Sequence, residues 1–292
     1  MDYFALFIQM LEARGLTDNT VRSYKTYIKA YLNYLASLRI LPENASWQMI
    51  RDFVAWIQKS RDLDDRTVNA IISQLQFFQI YVLHKEWDRT QVPFRKFDCY
   101  LPFVPSREQV CAFINALDDP DARLAAAIIY ATGLRIDELC HLKYTDIYRS
   151  SHKLYIHHSK NRQDRYVPFT ELIWEALLNR WLSFPAGTRP HGWIFTRRRD
   201  TSQPMYTQWL QREFRICRDA LGMDQRFCAH SLRHAYATHS YENGLDLLTL
   251  KANLGHKSLN STLIYVHLAD DSAKSRATNP FEQIGGEIHG LS

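Results

Sequence analysis

The chain has 292 residues, 46% of them hydrophobic, with a formal net charge of +5 and a pI near 8.9. That length has room for two domains and that apolar content for buried cores, while no apolar run approaches the roughly 20 residues of a membrane-spanning helix. The five cysteines (Cys99, Cys111, Cys140, Cys217 and Cys228) are odd in number and lack a Cys-x-x-Cys pair, which argues against a disulfide framework or zinc cluster and for a reducing cytosol.

The first residues, Met-Asp-Tyr-Phe, lack a basic segment followed by an apolar run, so no signal peptide is expected. Mild basicity suits a polyanionic partner but is shared by many proteins with none. Residues 1 to about 98 read as all helix. A first segment ends near Gly15, and Thr17 or Asp18 caps the next, where Val21, Tyr24, Ile28, Tyr31, Leu32 and Leu35 recur at helical spacing. Beside that apolar stripe Arg22, Lys25 and Lys29 form a basic one, which is either a solvated face or a row of phosphate contacts. Pro42 breaks the chain, and Ser46 opens a helix with Ile50, Phe53, Val54 and Ile57 inward. Asp64 or Asp65 opens a longer one carrying Val68, Ile71, Ile72, Leu75, Phe78 and Val82, whose polar side offers Arg66, Asn69 and Ser73 to solvent or to a nucleic-acid groove.

Pro93, Pro102 and Pro105 interrupt helical runs, so 99–105 is expected to be a linker. Ser106 and Gln109 fit a capping box for the next helix. Leu124, Ala127, Ile128 and Ala131 form an inward helix face that Gly133 stops. Arg135 follows, with Glu138 three residues on, placed either to orient its guanidinium or as an ordinary surface pair. Leu154 and Ile156, then Tyr166, Val167 and Phe169, flank a polar turn and predict a β-hairpin. Lys160 and Arg162 lie in that turn, while His157 and His158 read as surface or strand-facing. Trp193 to Phe195 predict a short buried strand, Arg197 to Arg199 a basic loop, and Gln203 to Leu221 a helix.

The richest stretch runs from His230 to Tyr265. His230 and Arg233 share a face at a helix start, where free N–H groups and the dipole favour an anion. Gly244 stops that helix, Asp246 opens another with Leu247, Leu248, Leu250 and Leu254 as its apolar residues, and Gly255 stops that one directly before His256. A third helix from about Ser258 carries Tyr265. His230 and His234 are also spaced as a metal pair would be, but no third ligand is apparent; His234 and His239 read as structural.

The His-x-x-Arg-His box, the Leu-Gly-His box and a tyrosine nine residues beyond it, preceded by Arg-x-x-Glu-Leu and a hairpin lysine, resemble the tyrosine recombinases, the integrase family that cuts and rejoins DNA. The resemblance implies a mainly α fold with a small antiparallel β-sheet in the second domain. It implies a two-domain DNA clamp: a helical, SAM-like core-binding domain at 1–98, the linker, an α+β catalytic domain at 106–269, and a tail at 270–292 that packs on a neighbouring protomer with Phe281 as anchor. It assigns Arg135, Lys160, His230, Arg233, His256 and the nucleophile Tyr265 to catalysis, with Glu138 in support. Arg22, Lys25, Lys29, Arg66, Asn69 and Arg162 are the expected DNA contacts. The hairpin departs from a common family form, having Ser159 and Asn161 where Gly-Lys-Gly is usual, so either Lys160 or Arg162 is the residue that reaches DNA.

Chemically, two arginines suit a phosphodiester that gains charge in its transition state. A phenol of ordinary pKa about 10 needs a proton acceptor, for which His230 is expected. Lys160 is expected to protonate the leaving 5′ oxygen, and His256 to bond the phosphate or buttress the tyrosine helix. No metal, cofactor or ATP is expected, because arginines supply the charge and the phosphotyrosyl ester keeps the bond energy. The expected partners are double-stranded DNA with inverted arms, a homodimer per site, a homotetramer on two sites, and accessory proteins in some settings; the expected location is the cytoplasm, at the nucleoid when DNA-bound. The rivals are a type IB topoisomerase-like or telomere-resolving enzyme, a DNA-binding regulator without catalysis, and a helical metal-dependent hydrolase.

Overall fold

The computed structural model describes residues 2–16, 18–98, 100–157, 164–190 and 192–269. Lys160, Arg162 and the tail with Phe281 lie outside the described residues, as do the expected roles that rest on them. The chain divides after Tyr100 into two compact units.

The first unit is four helices: α1 (Tyr3–Ala13), α2 (Asp18–Ser37), α3 (Trp47–Arg61) and α4 (Asp65–Tyr81). Asp2, Ser46 and Asp64 start α1, α3 and α4 by accepting backbone N–H groups that have no partner within the helix. The apolar stripes predicted for α2, α3 and α4 meet in one core, where Phe7, Ile28, Tyr31, Leu35, Phe53, Ile57, Val68 and Ile71 are at most 1% exposed. The polar positions fare differently. Arg22 and Lys29 are exposed and Lys25 is half-buried on α2. Arg66 lies over the Phe97 ring, 5.2 Å from its centroid. Asn69, expected as a DNA contact, is engaged within the chain. Its amide nitrogen donates to the Arg95 carbonyl at 2.9 Å and its oxygen accepts the Arg95 N–H at 2.7 Å, so both ends clip the segment after α4 to the helix.

The second unit begins with Phe103 and Val104 packed on its core. Its helices are α5 (Arg107–Ala116), α6 (Pro120–Thr132), α7 (Ile136–Cys140), α8 (Glu171–Leu182), α9 (Thr207–Ala220), α10 (Ala229–Glu242), α11 (Leu247–Leu254) and α12 (Asn260–Leu268). Its strands are β1 (Ile147–Tyr148), β2 (Lys153–Ile156), β3 (Arg165–Pro168), β4 (Thr196–Arg197) and β5 (Asp200–Pro204). β1, β2 and β3 form an antiparallel sheet in that order, with Leu154 opposite Val167 and Ile156 opposite Arg165. The capping box of Ser106 and Gln109 is present at α5. Helix α10 packs on α6, α11 and α12.

Two local expectations are corrected. Trp193 to Phe195 is not a strand; Trp193 makes a single bridge to Lys143, while Ile194 and Phe195 are buried. The basic run belongs to a two-stranded hairpin, β4 with β5, so α9 begins at Thr207 rather than Gln203. Separately, of the apolar residues of α11, Leu250 and Leu254 are buried and Leu248 is 68% exposed. Among the described residues no helix is long and apolar enough to cross a membrane.

Candidate active site

Gly133 closes α6 in the left-handed conformation at φ 67°, where glycine carries no penalty. An added Cβ would sit 2.4 Å from the Tyr236 ring of α10, so only glycine lets α6 and α10 approach this closely. The chain then turns through buried Leu134 and sets Arg135 at the start of α7. Glu138, in the first turn of α7, accepts the Arg135 N–H at 2.9 Å through Oε2 and the Arg135 guanidinium at 2.8 Å through Oε1. The supporting role expected for Glu138 therefore has a geometry, though its bond to the Arg135 guanidinium is single.

The bidentate partner of Glu138 is Arg165, a residue that none of the sequence motifs singles out. Arg165 donates Nη1 to Oε1 at 2.9 Å and Nη2 to Oε2 at 2.7 Å, and its Nε donates to the Asn253 carbonyl at 2.8 Å. Burial works against the Glu138 carboxylate, but the hydrogen bond and charge of Arg165, then those of Arg135, overcome it and hold the carboxyl at about 2. A signal for Arg165 was present. It shares a face of β3 with inward-facing Val167, two residues on, and stands opposite buried Ile156, so strand periodicity placed a charge on the buried face that required a carboxylate.

Arg233 is 1% exposed. Its Nη1 donates to the Gly133 carbonyl at 2.5 Å and its Nη2 to the Leu254 carbonyl at 2.6 Å, using two carbonyls left open by helix ends. Burial, then repulsion from Arg135, lowers its pKa to about 10, with Glu138 and Tyr265 acting in the opposite sense. It remains a cation at neutral pH. Its Nη2 also faces His256 Nε2 at 3.2 Å. Because arginine only donates, that nitrogen accepts, which leaves His256 Nδ1 to donate to the Thr262 hydroxyl at 3.0 Å. His256 thus ties Arg233 to α12, the helix of Tyr265. Burial first, then the charges of Arg233, Arg135 and Arg165, brings its imidazole down to about 4.

Tyr265 is 1% exposed. Its ring stacks on His256, centroids 6.3 Å apart at 16°. Its hydroxyl lies 3.0 Å from Nδ1 of His234, the histidine expected to be structural. Burial, followed by His230, Arg233 and His256, lowers the His234 imidazole to about 4, so it is uncharged at neutral pH beside the phenol. The phenol pKa is itself raised, because burial outweighs the opposing pull of Arg233 and Arg135. His230, the expected acid/base partner, is exposed and stands edge-on to His234 at 4.5 Å between ring centroids. His239 fits its structural reading, bonding the Tyr130 hydroxyl at 3.0 Å.

The structure therefore joins Arg135 and Glu138 to Arg165, and Arg233, His256 and Tyr265 to His234; the two sets meet where Arg165 and Arg233 bind the adjacent carbonyls of Asn253 and Leu254, with His230 at the rim. Two arginines and a phenol are thus close together, residue types suited to an anion and to nucleophilic attack. Residues 106–272 match the profile of the phage integrase family, and residues 4–89 that of the phage integrase N-terminal SAM-like domain. The chain belongs to the phage integrase family, the tyrosine recombinases. Tyrosine recombinase XerA of Pyrococcus furiosus is 28% identical, with 96% of each chain covered. A putative integrase/recombinase of Sinorhizobium fredii, y4qK, is 27% identical over 93% of this chain and 86% of its own. Among solved structures, the Tn1549 transposon integrase in complex with transposon right-end DNA superposes with a TM-score of 0.75 at 18% identity, covering 98% of this chain and all of that one. A lambda integrase dimer bound to a core site superposes at 0.70, with 20% identity over 90% and 93% of the two chains.

Proposed function

We propose that this chain binds double-stranded DNA and exchanges its strands by attack of Tyr265 on a phosphodiester. Supporting the DNA partner are relatives named as recombinases and fold neighbours solved as DNA complexes. The phenolic oxygen bonds to phosphorus as the bond to the 5′ oxygen breaks, leaving a 3′-phosphotyrosyl ester. Arg135 and Arg233 take the non-bridging oxygens, where charge develops. Lys160 gives its proton to the leaving oxygen. His230 serves as the acid/base partner from the rim, and His256 buttresses the tyrosine helix. The ester keeps the energy of the broken bond, so rejoining needs no ATP. Two fixed cations at the phosphate supply the charge a metal would otherwise bring.

The observation that supports this most is the chain of contacts from Tyr265 through His256 to Arg233, which links nucleophile and anion site within one buried cluster. In the same reading Arg22, Lys25 and Lys29 contact phosphates, Arg66 and Arg162 add to the interface, two copies occupy inverted arms, and four act on two sites, with accessory proteins in some settings. The site of action is the cytoplasm, at the nucleoid when bound. Integration, excision, resolution and transposition all use this chemistry. The test is to offer nicked duplexes made from DNA flanking the gene to the wild type and to Tyr265→Phe. The variant is expected to bind with unchanged affinity and form no adduct that survives denaturation; an adduct from it removes Tyr265 as nucleophile.

A further inference from the structure

Arg165 is a buried cation with no place in the chemistry above, yet it touches three of the segments that carry that chemistry. Its guanidinium saturates the carboxylate that also holds Arg135, since Glu138 Oε1 accepts both Arg135 Nη1 at 2.8 Å and Arg165 Nη1 at 2.9 Å. Its Nε donates to the Asn253 carbonyl in the last turn of α11, two residues before Gly255 and three before His256. An added Cβ at Gly255 would lie 3.0 to 3.1 Å from three atoms of the Arg165 side chain, so the left-handed turn into His256 packs directly on this guanidinium. Arg165 also begins β3 opposite Ile156, the last residue of β2, so it sits at the turn end of this strand pair. With its side chain 8% exposed and that of Glu138 5% exposed, neither has water to replace a missing partner.

We propose that Arg165 is a positioning residue for strand cleavage: it sets the Arg135 fork through Glu138, while the same guanidinium packs against the turn into His256. It touches no reacting atom; it acts by removing the freedom of groups that do. Without it, Glu138 has Arg135 as its only cation and can swing toward it. The Arg135 fork then turns away from the phosphate. A misplacement of about 1 Å at a reacting centre costs on the order of 100-fold in rate. The inference rests on the function proposed above for Arg135, and its test separates the two.

The probe is a nicked duplex on which the wild type forms its covalent adduct, with Tyr265→Phe as control. Arg165→Lys keeps the charge but loses the fork. It is expected to bind the duplex within about twofold of the wild type and to cleave on the order of 10- to 100-fold more slowly. The decisive comparison is made in an Arg135→Lys background. A residue that works through Arg135 adds little further loss of cleavage there, while its effect on melting temperature persists. Equal fold losses in both backgrounds, or normal cleavage by Arg165→Lys, would overturn the proposal. A second readout needs no DNA: the side-chain Nε resonance of Arg135, assigned by its disappearance in Arg135→Lys, is expected to shift and broaden in Arg165→Lys. An unchanged resonance contradicts the proposal even if no duplex is ever cleaved, whereas a wild type without adduct counts against the function and not against this contact.

Discussion

Arg233 is bound to the main chain at two helix ends, so replacing it is two events at once. In the proposed reaction, Arg233→Ala removes a cation from the phosphate, worth about 3–4 kcal/mol in comparable sites. It also strips the Gly133 and Leu254 carbonyls of their donor, at about 1–3 kcal/mol for each buried group left unpaired. The variant is therefore expected to cleave very slowly and to melt at a lower temperature. Normal cleavage by a folded Arg233→Ala protein would remove it from the chemistry. Glu138 gives a pH signature. Its carboxyl sits at about 2 against an ordinary 4.5, a depressed value, so its stabilisation is complete above pH 4.5 and is lost as pH falls through about 2. Glu138→Gln is expected to be less stable at neutral pH and to have a flatter acid limb across that window; an unchanged limb would mean that the carboxylate is not held by its arginines. His234 and His256, both brought down to about 4, add a separate loss between pH 6.5 and about 4, because each must be neutral to fit.

At the scale of elements, what was legible in the sequence was what periodicity and punctuation carry. The stops at Gly133, Gly244 and Gly255, the starts at Ser46, Ser106 and Asp246, and the hairpin strands all follow from local chemistry. Contacts between elements were not legible in the same way. His234 is one residue from Arg233 and so points about 100° away around α10, and only the placement of α12 determines that it meets a phenol. Asn69 looked free because its partner, the backbone of Arg95, lies 26 residues away and has no side-chain signature. The strand predicted at Trp193 to Phe195 failed because burial of a short apolar run does not distinguish a strand from a buried loop. The contact of α6 with α10 gives a direct prediction. Gly133→Ala must both enter a strained backbone region and displace the Tyr236 ring, so its cost in stability is expected to exceed the roughly 1–2 kcal/mol of the backbone effect alone. A melting temperature equal to that of the wild type would show that the two helices are not packed this closely.

For the molecule as a whole, the basic stripe on α2 and the proposed catalytic residues stand on separate units, and their contributions separate experimentally. Replacing Lys25 and Lys29 with alanine is expected to weaken DNA binding and to reduce its logarithmic salt slope by about 0.9 for each phosphate that is no longer neutralised. The rate of cleavage on saturated DNA should stay unchanged. An unaltered slope would return that stripe to an ordinary solvated face. The most direct test of the central claim is peptide mass mapping of the protein–DNA adduct formed on a nicked duplex from the flanking DNA. A nucleotide attached through Tyr265, at a 3′ phosphate, is the predicted result. An adduct on any other residue, or tight and specific binding without an adduct, would contradict it.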